Sequence, residues 1–233
     1  MTPSVMRVAE LWRYPVKSMA GERLSETMLA PLGLPGDREL VVVDGTGRIV
    51  TSRTQPGLLR LRATRDADGR VQVDGREWTS PEVEARVRAA AGPDARLVAV
   101  AGPERFDVMP LLVTSDGAIA ALGVDHRRLR PNLVVGGVPG LAERAWERRF
   151  LAVGEAVIGL KDLRARCIMT TFDPDTGAQD LAVLARIRER FEGSFALNAW
   201  VARPGPVAVG ATVRVLEAFG EALPPRLGRS VAR

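Results

Sequence analysis

The chain has 233 residues, 46% hydrophobic and 26% charged, enough to bury one large core or two small adjoining ones without disulfide staples. One cysteine rules out an internal disulfide, and one cysteine with one histidine argues against a zinc site made of protein ligands. The net charge is +5 and almost wholly arginine: only Lys17 and Lys161 are lysine, leaving 31 arginines among 33 basic residues. An excess of this kind suits an anionic cofactor or an acidic partner protein, while the sparse aromatics and the lack of RNP or zinc-finger spacing argue against nucleic acid.

Residues 1–8 lack the charged, apolar and small-residue succession of a signal peptide. Apolar runs such as Leu40–Val43 are too short to span a bilayer. The expectation is a soluble, cytoplasmic protein.

The first hundred residues read as short strands punctuated by turns. Val5–Trp12 and Leu24–Leu29 flank a polar loop, Tyr14–Gly21. Glu39–Val43 and Arg48–Ser52 are joined by Asp44-Gly-Thr-Gly47, a hairpin signal. Leu58–Thr64 and Arg70–Val73 form a second hairpin around Asp66-Ala-Asp-Gly69. Pro81–Ala91 reads as an amphipathic helix with Ser80 as its N-cap and Gly92-Pro93 as its stop. Arg96–Val100 is a further strand, and Ala101–Asp107 a connection. Beyond it the pattern predicts strands at Leu111–Thr114, Leu133–Val135 and Glu155–Leu160, and a helix at Asp116–Leu122. Cys167–Thr171 reads as a strand entering a turn, Asp180–Phe191 as a helix, and Ala196–Ala202 and Thr212–Leu216 as strands. The fold class expected is β-rich α+β with a few short helices, and the end from Leu223 to Arg233 is expected to fray.

Three segments carry chemistry. In Arg164-Ala-Arg-Cys-Ile-Met-Thr-Thr-Phe-Asp-Pro-Asp-Thr-Gly177, a strand delivers a thiol flanked by Arg164 and Arg166, which favour the thiolate form that attacks or ligates metals. The same cysteine also reads as a small buried hydrophobe. In Tyr14-Pro-Val-Lys-Ser18 a stiffened loop presents Lys17 and Ser18 together, a pairing suited to an anion and equally common on plain surface loops. In Arg127-Arg-Leu-Arg-Pro-Asn132, guanidiniums precede an amide able to read a ring edge, or the run is a solvated turn. Asp37-Arg38 and Thr51–Arg53 read either as ligand contacts or as polar sheet-edge residues.

Taken together and in this order, Tyr14–Ser18, Gly36–Arg38, Thr51–Arg53, Arg130–Asn132 and Arg166–Gly177 resemble the MOSC family. The resemblance is to the branch with an N-terminal β-barrel, which includes the mitochondrial amidoxime-reducing components and the YcbX-like proteins, and it runs from about Val5 to about Leu216. It implies an N-terminal MOSC β-barrel domain over residues 1–104, a MOSC β-barrel domain over 105–220 and a flexible basic tail over 221–233. It also implies a molybdenum cofactor, a molybdopterin with Cys167 as the protein's ligand to the metal. Lys17, Ser18, Arg38 and Arg53 match positions lining the cofactor's phosphate and pterin, and Arg130 and Asn132 match pterin contacts. Thr114 and Ser115 fall where the family has a polar strand-to-helix turn near the pterin, although this segment departs from the usual family pattern. Arg166 stands beside the thiol, and Thr170 and Asp173 would shape the loop next to the metal. The implied activity is two-electron reduction of N-hydroxylated compounds such as amidoximes and hydroxylamines. With no cysteine cluster for an iron–sulfur group, electrons are expected from a separate ferredoxin-like or flavodoxin-like donor, steered by the basic charge. The alternative is a sulfur carrier or sulfur-transfer protein holding a persulfide on Cys167.

Overall fold

The computed structural model describes residues 5–218, so the expected basic tail at 221–233 lies outside the described residues. In chain order the regular elements are β1 (Arg7–Arg13), β2 (Glu22–Leu24), β3 (Glu26–Leu29), β4 (Leu40–Val43), β5 (Ile49–Val50), β6 (Ala63–Arg65), β7 (Val71–Val73), β8 (Arg76–Glu77), α1 (Pro81–Ala91) and β9 (Arg96–Ala99). There follow β10 (Leu111–Ser115), α2 (Asp116–Leu122), β11 (Leu133–Gly136), β12 (Arg149–Val153), β13 (Ala156–Ala165), α3 (Leu181–Phe191), β14 (Ser194–Arg203), β15 (Gly205–Ala208) and β16 (Val213–Ala218). The chain is β-rich α+β, with three short α-helices and several 3-10 turns among the described residues. No helix among the described residues is long and apolar enough to cross a membrane.

Eight strands form the principal sheet, ordered β16-β12-β13-β14-β10-β11-β1-β2. All its pairings are antiparallel except β10 with β11, where α2 provides the crossover. The N-terminal strands β1 and β2 therefore complete a sheet built otherwise from the second half of the chain, and β3 pairs with β15. The sheets β5-β4-β9 and β6-β7-β8 stay within the first hundred residues. Two buried clusters follow. One, including Leu11, Val113, Val135, Leu151, Ile158 and Leu197, belongs to the large sheet. The other, including Val16, Met19, Val42, Leu58, Val83 and Val87, lies under α1 and the small sheets.

Local chemistry sets the helix ends. Ser80 accepts from the Val83 N–H and Pro81 opens α1, whose Val83, Val87 and Ala91 bury one face at four-residue spacing. Asp180 caps α3 by accepting from the Ala182 N–H, and Val183, Leu184, Ile187 and Phe191 are its buried stripe.

Two expected strands take another form. Within Leu58–Thr64, residues Pro56–Arg60 make a 3-10 turn and pairing begins only at Ala63. The adjacent Leu58 and Leu59 are both buried, which the alternating faces of a strand exposed on one side cannot satisfy. Cys167–Thr171 is likewise not a strand: β13 ends at Ala165 and Ile168–Thr171 is a 3-10 turn. The Thr170 and Thr171 hydroxyls donate to the Cys167 and Ile168 carbonyls three residues back, at 3.0 and 2.6 Å, and so favour a turn. Strands β12 and β15 are additions to the expected pattern.

Glu143 is buried behind the sheet, 1% exposed, with the Thr114 hydroxyl donating to its carboxylate at 3.3 Å. Burial pushes its pKa up to about 7, against opposing hydrogen bonds from Ser115 and Thr114. A carboxyl raised in the folded state contributes stability that is full below the unfolded pKa near 4.5 and is lost as pH rises through about 7. Chemical denaturation of Glu143→Gln beside the wild type should show the variant gaining, relative to wild type, on the order of 1–3 kcal/mol between pH 4.5 and pH 8. An unchanged difference between the two across that range would mean that Glu143 is not the linked group.

Candidate functional site

A cleft opens where loops from both halves of the chain meet. The turn after β1 brings Lys17 and Ser18, the segment before β4 brings Arg38, and the turn after β5 brings Thr51 and Arg53. The connection before β10 brings Arg105 and Asp107, the 3-10 turn before β11 brings Arg128 and Arg130, and the end of β13 brings Arg164, Arg166 and Cys167. Eight cationic side chains and one carboxylate, Asp107, line it.

Asp107 is the organising anion. Its Oδ1 lies 2.9 Å from Lys17 Nζ, and its Oδ2 lies 2.9 Å from Arg53 and 3.4 Å from Arg164. Partial burial would raise its pKa, but Lys17, Arg53 and Arg164 outweigh that and hold it down at about 2. At neutral pH Asp107 therefore accepts from cations and carries no proton to give. Burial lowers the Lys17 pKa, and Asp107 opposes the shift; its Nζ also donates to the Arg105 carbonyl at 2.9 Å.

The deeper guanidiniums are held mainly by carbonyls. Arg130 donates to the Met19 carbonyl at 2.6 Å and lies 4.2 Å over the Tyr14 ring. Arg166 donates to the Leu129 carbonyl at 2.8 Å. Burial lowers the pKa of each to about 10, so both stay cationic at pH 7. Among the described residues, three nitrogens shut off from solvent have no partner: Arg105 Nε, Arg130 Nη2 and Arg166 Nε. A buried donor without an acceptor costs about 1–3 kcal/mol, so these three are prepared for an external acceptor.

The backbone is strained at the same place. Ser18, Arg38 and Arg130 adopt left-handed φ values of 73°, 55° and 59°, uncommon for residues with a side chain. Ser18 Oγ accepts from the Ser52 N–H at 3.0 Å, and Arg38 Nη1 is paired with the wholly buried Asp37. The loop after Cys167 is tied down from outside. Arg128 donates to the Thr171 carbonyl and the Asp173 carboxylate, both at 2.9 Å, and Arg127 forks onto Asp125 and Asp175. Asp173 in turn accepts from the Asp175 and Thr176 N–H groups, which closes the turn.

The cleft thus brings together Cys167, Lys17, Ser18, Arg38, Arg53, Arg130, Asn132 and Arg166. It does not bring in Thr114, Ser115, Thr170 or Asp173. Thr114 is wholly buried against Glu143, and Ser115 caps α2 by accepting from the Ala118 N–H. The Thr170 hydroxyl is spent on the Cys167 carbonyl, and Asp173 is spent on its own turn and Arg128. Asn132 lines the wall but works as a staple: its Nδ2 donates to the Trp12 carbonyl, and its Oδ1 accepts from the Leu112 N–H. Sequence reasoning missed Arg105 and Asp107. The one signal for them was an Arg-Phe-Asp triplet inside a segment otherwise read as a connection.

Comparison with known proteins matches the two parts of the chain to two family models. The MOSC N-terminal beta barrel domain model matches residues 5–119, and the MOSC domain model matches residues 110–214. The mitochondrial amidoxime-reducing component 1 of Homo sapiens is 26% identical, over 73% of this chain and 67% of that protein. The mitochondrial amidoxime reducing component 2 of Macaca fascicularis is 27% identical, over 74% of this chain and 68% of that protein. Among solved structures, the YUAD protein from Bacillus subtilis superposes with a TM-score of 0.50 at 14% identity, covering 93% of this chain and 98% of that one, a likeness of fold. With the two domain models jointly spanning residues 5–214, the chain belongs to the MOSC family, as an N-terminal MOSC β-barrel domain followed by a MOSC domain.

Proposed function

We propose that this chain is a molybdenum-cofactor-dependent oxidoreductase that reduces N-hydroxylated compounds with electrons from a separate donor protein. The observation that carries the reading is the set of three unpartnered guanidinium nitrogens in a cleft that also holds the only thiol. These donors fit an anionic, oxygen-rich ligand. No cluster of three or more His, Cys, Asp or Glu side chains stands ready for a metal ion among the described residues. A metal in this cleft would take most of its ligands from a cofactor, and one protein thiolate then suffices.

The residues divide into distinct tasks. Cys167 would supply the thiolate. Lys17 and Arg53, already facing a carboxylate oxygen each, would hold a phosphate, with Ser18 beside them. Arg38, Arg130 and Arg166 would face the planar pterin, where a guanidinium fork can donate in the ring plane. When bound, the molybdenum cofactor supplies a two-electron couple and oxygen-atom chemistry. Reduction of an N–OH group to N–H consumes two electrons and two protons and releases water. The chain's part is to place the substrate and to surround the departing oxygen with fixed donors. The amidoxime-reducing relatives favour this substrate class. The net charge of +5 suits an acidic ferredoxin-like or flavodoxin-like donor.

Protein purified from a host that makes the cofactor should contain near-stoichiometric molybdenum. Cys167→Ser should lose the metal and lower benzamidoxime reduction by about 100-fold or more while keeping its circular dichroism. Molybdenum absent from both forms would overturn the proposal, and a persulfide mass on Cys167 would then mark a sulfur carrier. A second expectation needs no metal. Inorganic phosphate at constant ionic strength should raise the melting temperature of the cofactor-free protein, and Arg53→Ala should remove most of that rise. Equal melting temperatures in phosphate and chloride would mean that the cleft is not an anion site.

A further inference from the structure

A second, smaller pocket shares a wall with the cleft. Trp12, Tyr14, Leu59, Met169, Phe172 and Pro174 give it an apolar and aromatic lining, and Met169, Arg128 and Arg130 face both spaces. Met169 is two residues from Cys167 and lines both spaces; its sulfur accepts from the Ser52 hydroxyl at 3.4 Å. The Trp12 and Tyr14 rings lie nearly parallel, 16° apart with centroids 6.5 Å from one another. Such a lining favours a flat apolar group, which gains from both burial and ring contacts.

The polar part of the lining is one-sided. Arg62, Arg127, Arg128 and Arg130 contribute guanidiniums, and among the described residues no carboxylate lines the pocket. Arg127 and Arg128 are neutralised by Asp125, Asp175 and Asp173. Arg130 is held by a carbonyl and an aromatic face, and its Nη2 lacks any acceptor. An occupant must therefore not bring a positive charge of its own.

We propose that this pocket is the subsite for the non-reacting body of the substrate, and that it selects an uncharged aryl group. Its meaning as a substrate subsite rests on the reductase reading above; its binding preference does not. The charge rule has a consequence for turnover. An amidoxime is a weak base and enters neutral, whereas the amidine formed from it is a strong base and becomes a cation. A pocket lined by guanidiniums accepts the first and repels the second, so reduction itself would loosen the product.

The test uses a pair of equal shape and opposite character: benzamide, which is neutral and has a carbonyl acceptor, and benzamidine, which is a cation. With methyl-labelled protein, benzamide ring protons should show NOEs to the Met169 methyl group. Benzamidine should bind about tenfold more weakly, and acetamide, lacking the ring, should show no NOE there. Leu59→Ala, which widens the pocket, and Ala20→Phe, which fills it, should each weaken benzamide binding by about fivefold or more. Melting curves will identify a variant that has lost its fold, and the wild-type NOE stands without either variant. No NOE to Met169, or equal binding of benzamide and benzamidine, would overturn the proposal. Kinetics keep the two readings apart. Benzamide bound at Met169 in a protein that reduces no amidoxime would leave the pocket standing and remove the reductase. Amidoxime reduction whose ratio of benzamidoxime to acetamidoxime KM is unmoved by folded Ala20→Phe would do the reverse.

Discussion

Eight cations converge on one cleft, and the fold has to hold them there against their own repulsion. Carboxylates on every guanidinium would have done so at the expense of the charge itself. Three carboxylates serve five of the cations instead: Asp107 takes Lys17, Arg53 and Arg164 together, their combined field keeping it ionised, while Asp37 pairs with Arg38 and Asp173 with Arg128. Main-chain carbonyls hold the remaining three, those of Met19, Leu129 and Ala101 for Arg130, Arg166 and Arg105, and the Thr171 carbonyl is a second partner for Arg128. A carbonyl fixes the direction of a guanidinium without neutralising it. The cleft therefore stays electropositive and geometrically defined, the combination an anionic ligand needs to bind without reorganising its site.

That arrangement requires backbone segments remote in sequence to present their carbonyls and side chains inward, and the strain appears where they do. Ser18, Arg38 and Arg130 hold left-handed φ values that cost of order 1–3 kcal/mol each. Two buried clusters, one under the large sheet and one under α1, flank the loops and offset the cost. Asn132 and Asp37 connect the two sides. The Asn132 amide joins the Trp12 carbonyl of β1 to the Leu112 N–H of β10, and Asp37 accepts from the Tyr14 N–H while pairing with Arg38. Because β1 and β2 belong to the sheet of the second half, the loop carrying Lys17 is anchored at both ends to the same framework as Cys167.

Much of this was legible in the sequence, and the division has physical causes. Contiguous motifs could be read: Tyr14–Ser18, Gly36–Arg38, Thr51–Arg53 and the Cys167 segment each supply a cleft residue, and Ser80 and Gly92 punctuate α1 as their chemistry requires. Residues that act only through a distant partner could not be read. Asp107 acquires its role from Lys17, Arg53 and Arg164, 90, 54 and 57 positions away, and nothing local marks it. Thr114, Ser115 and Thr170 mislead in the opposite sense. A hydroxyl is as ready to satisfy a buried carboxylate, a helix end or a carbonyl three residues back as to meet a ligand, and only the fold decides which.

The sharpest residue choice is Lys17, in a chain where 31 of 33 basic residues are arginine. Its Nζ sits between the Arg105 carbonyl and the Asp107 carboxylate, 2.9 Å from each, with a side chain only 11% exposed. A compact ammonium with three rotatable donors can meet both acceptors in that space, whereas a guanidinium is larger and holds its donors in one fixed plane. The ammonium is also the more strongly hydrated ion, and burial here lowers its pKa until Asp107 opposes the fall. Lys17 and Asp107 thus depend on each other. The lysine helps hold the carboxylate ionised, and the carboxylate favours the charged form of the lysine.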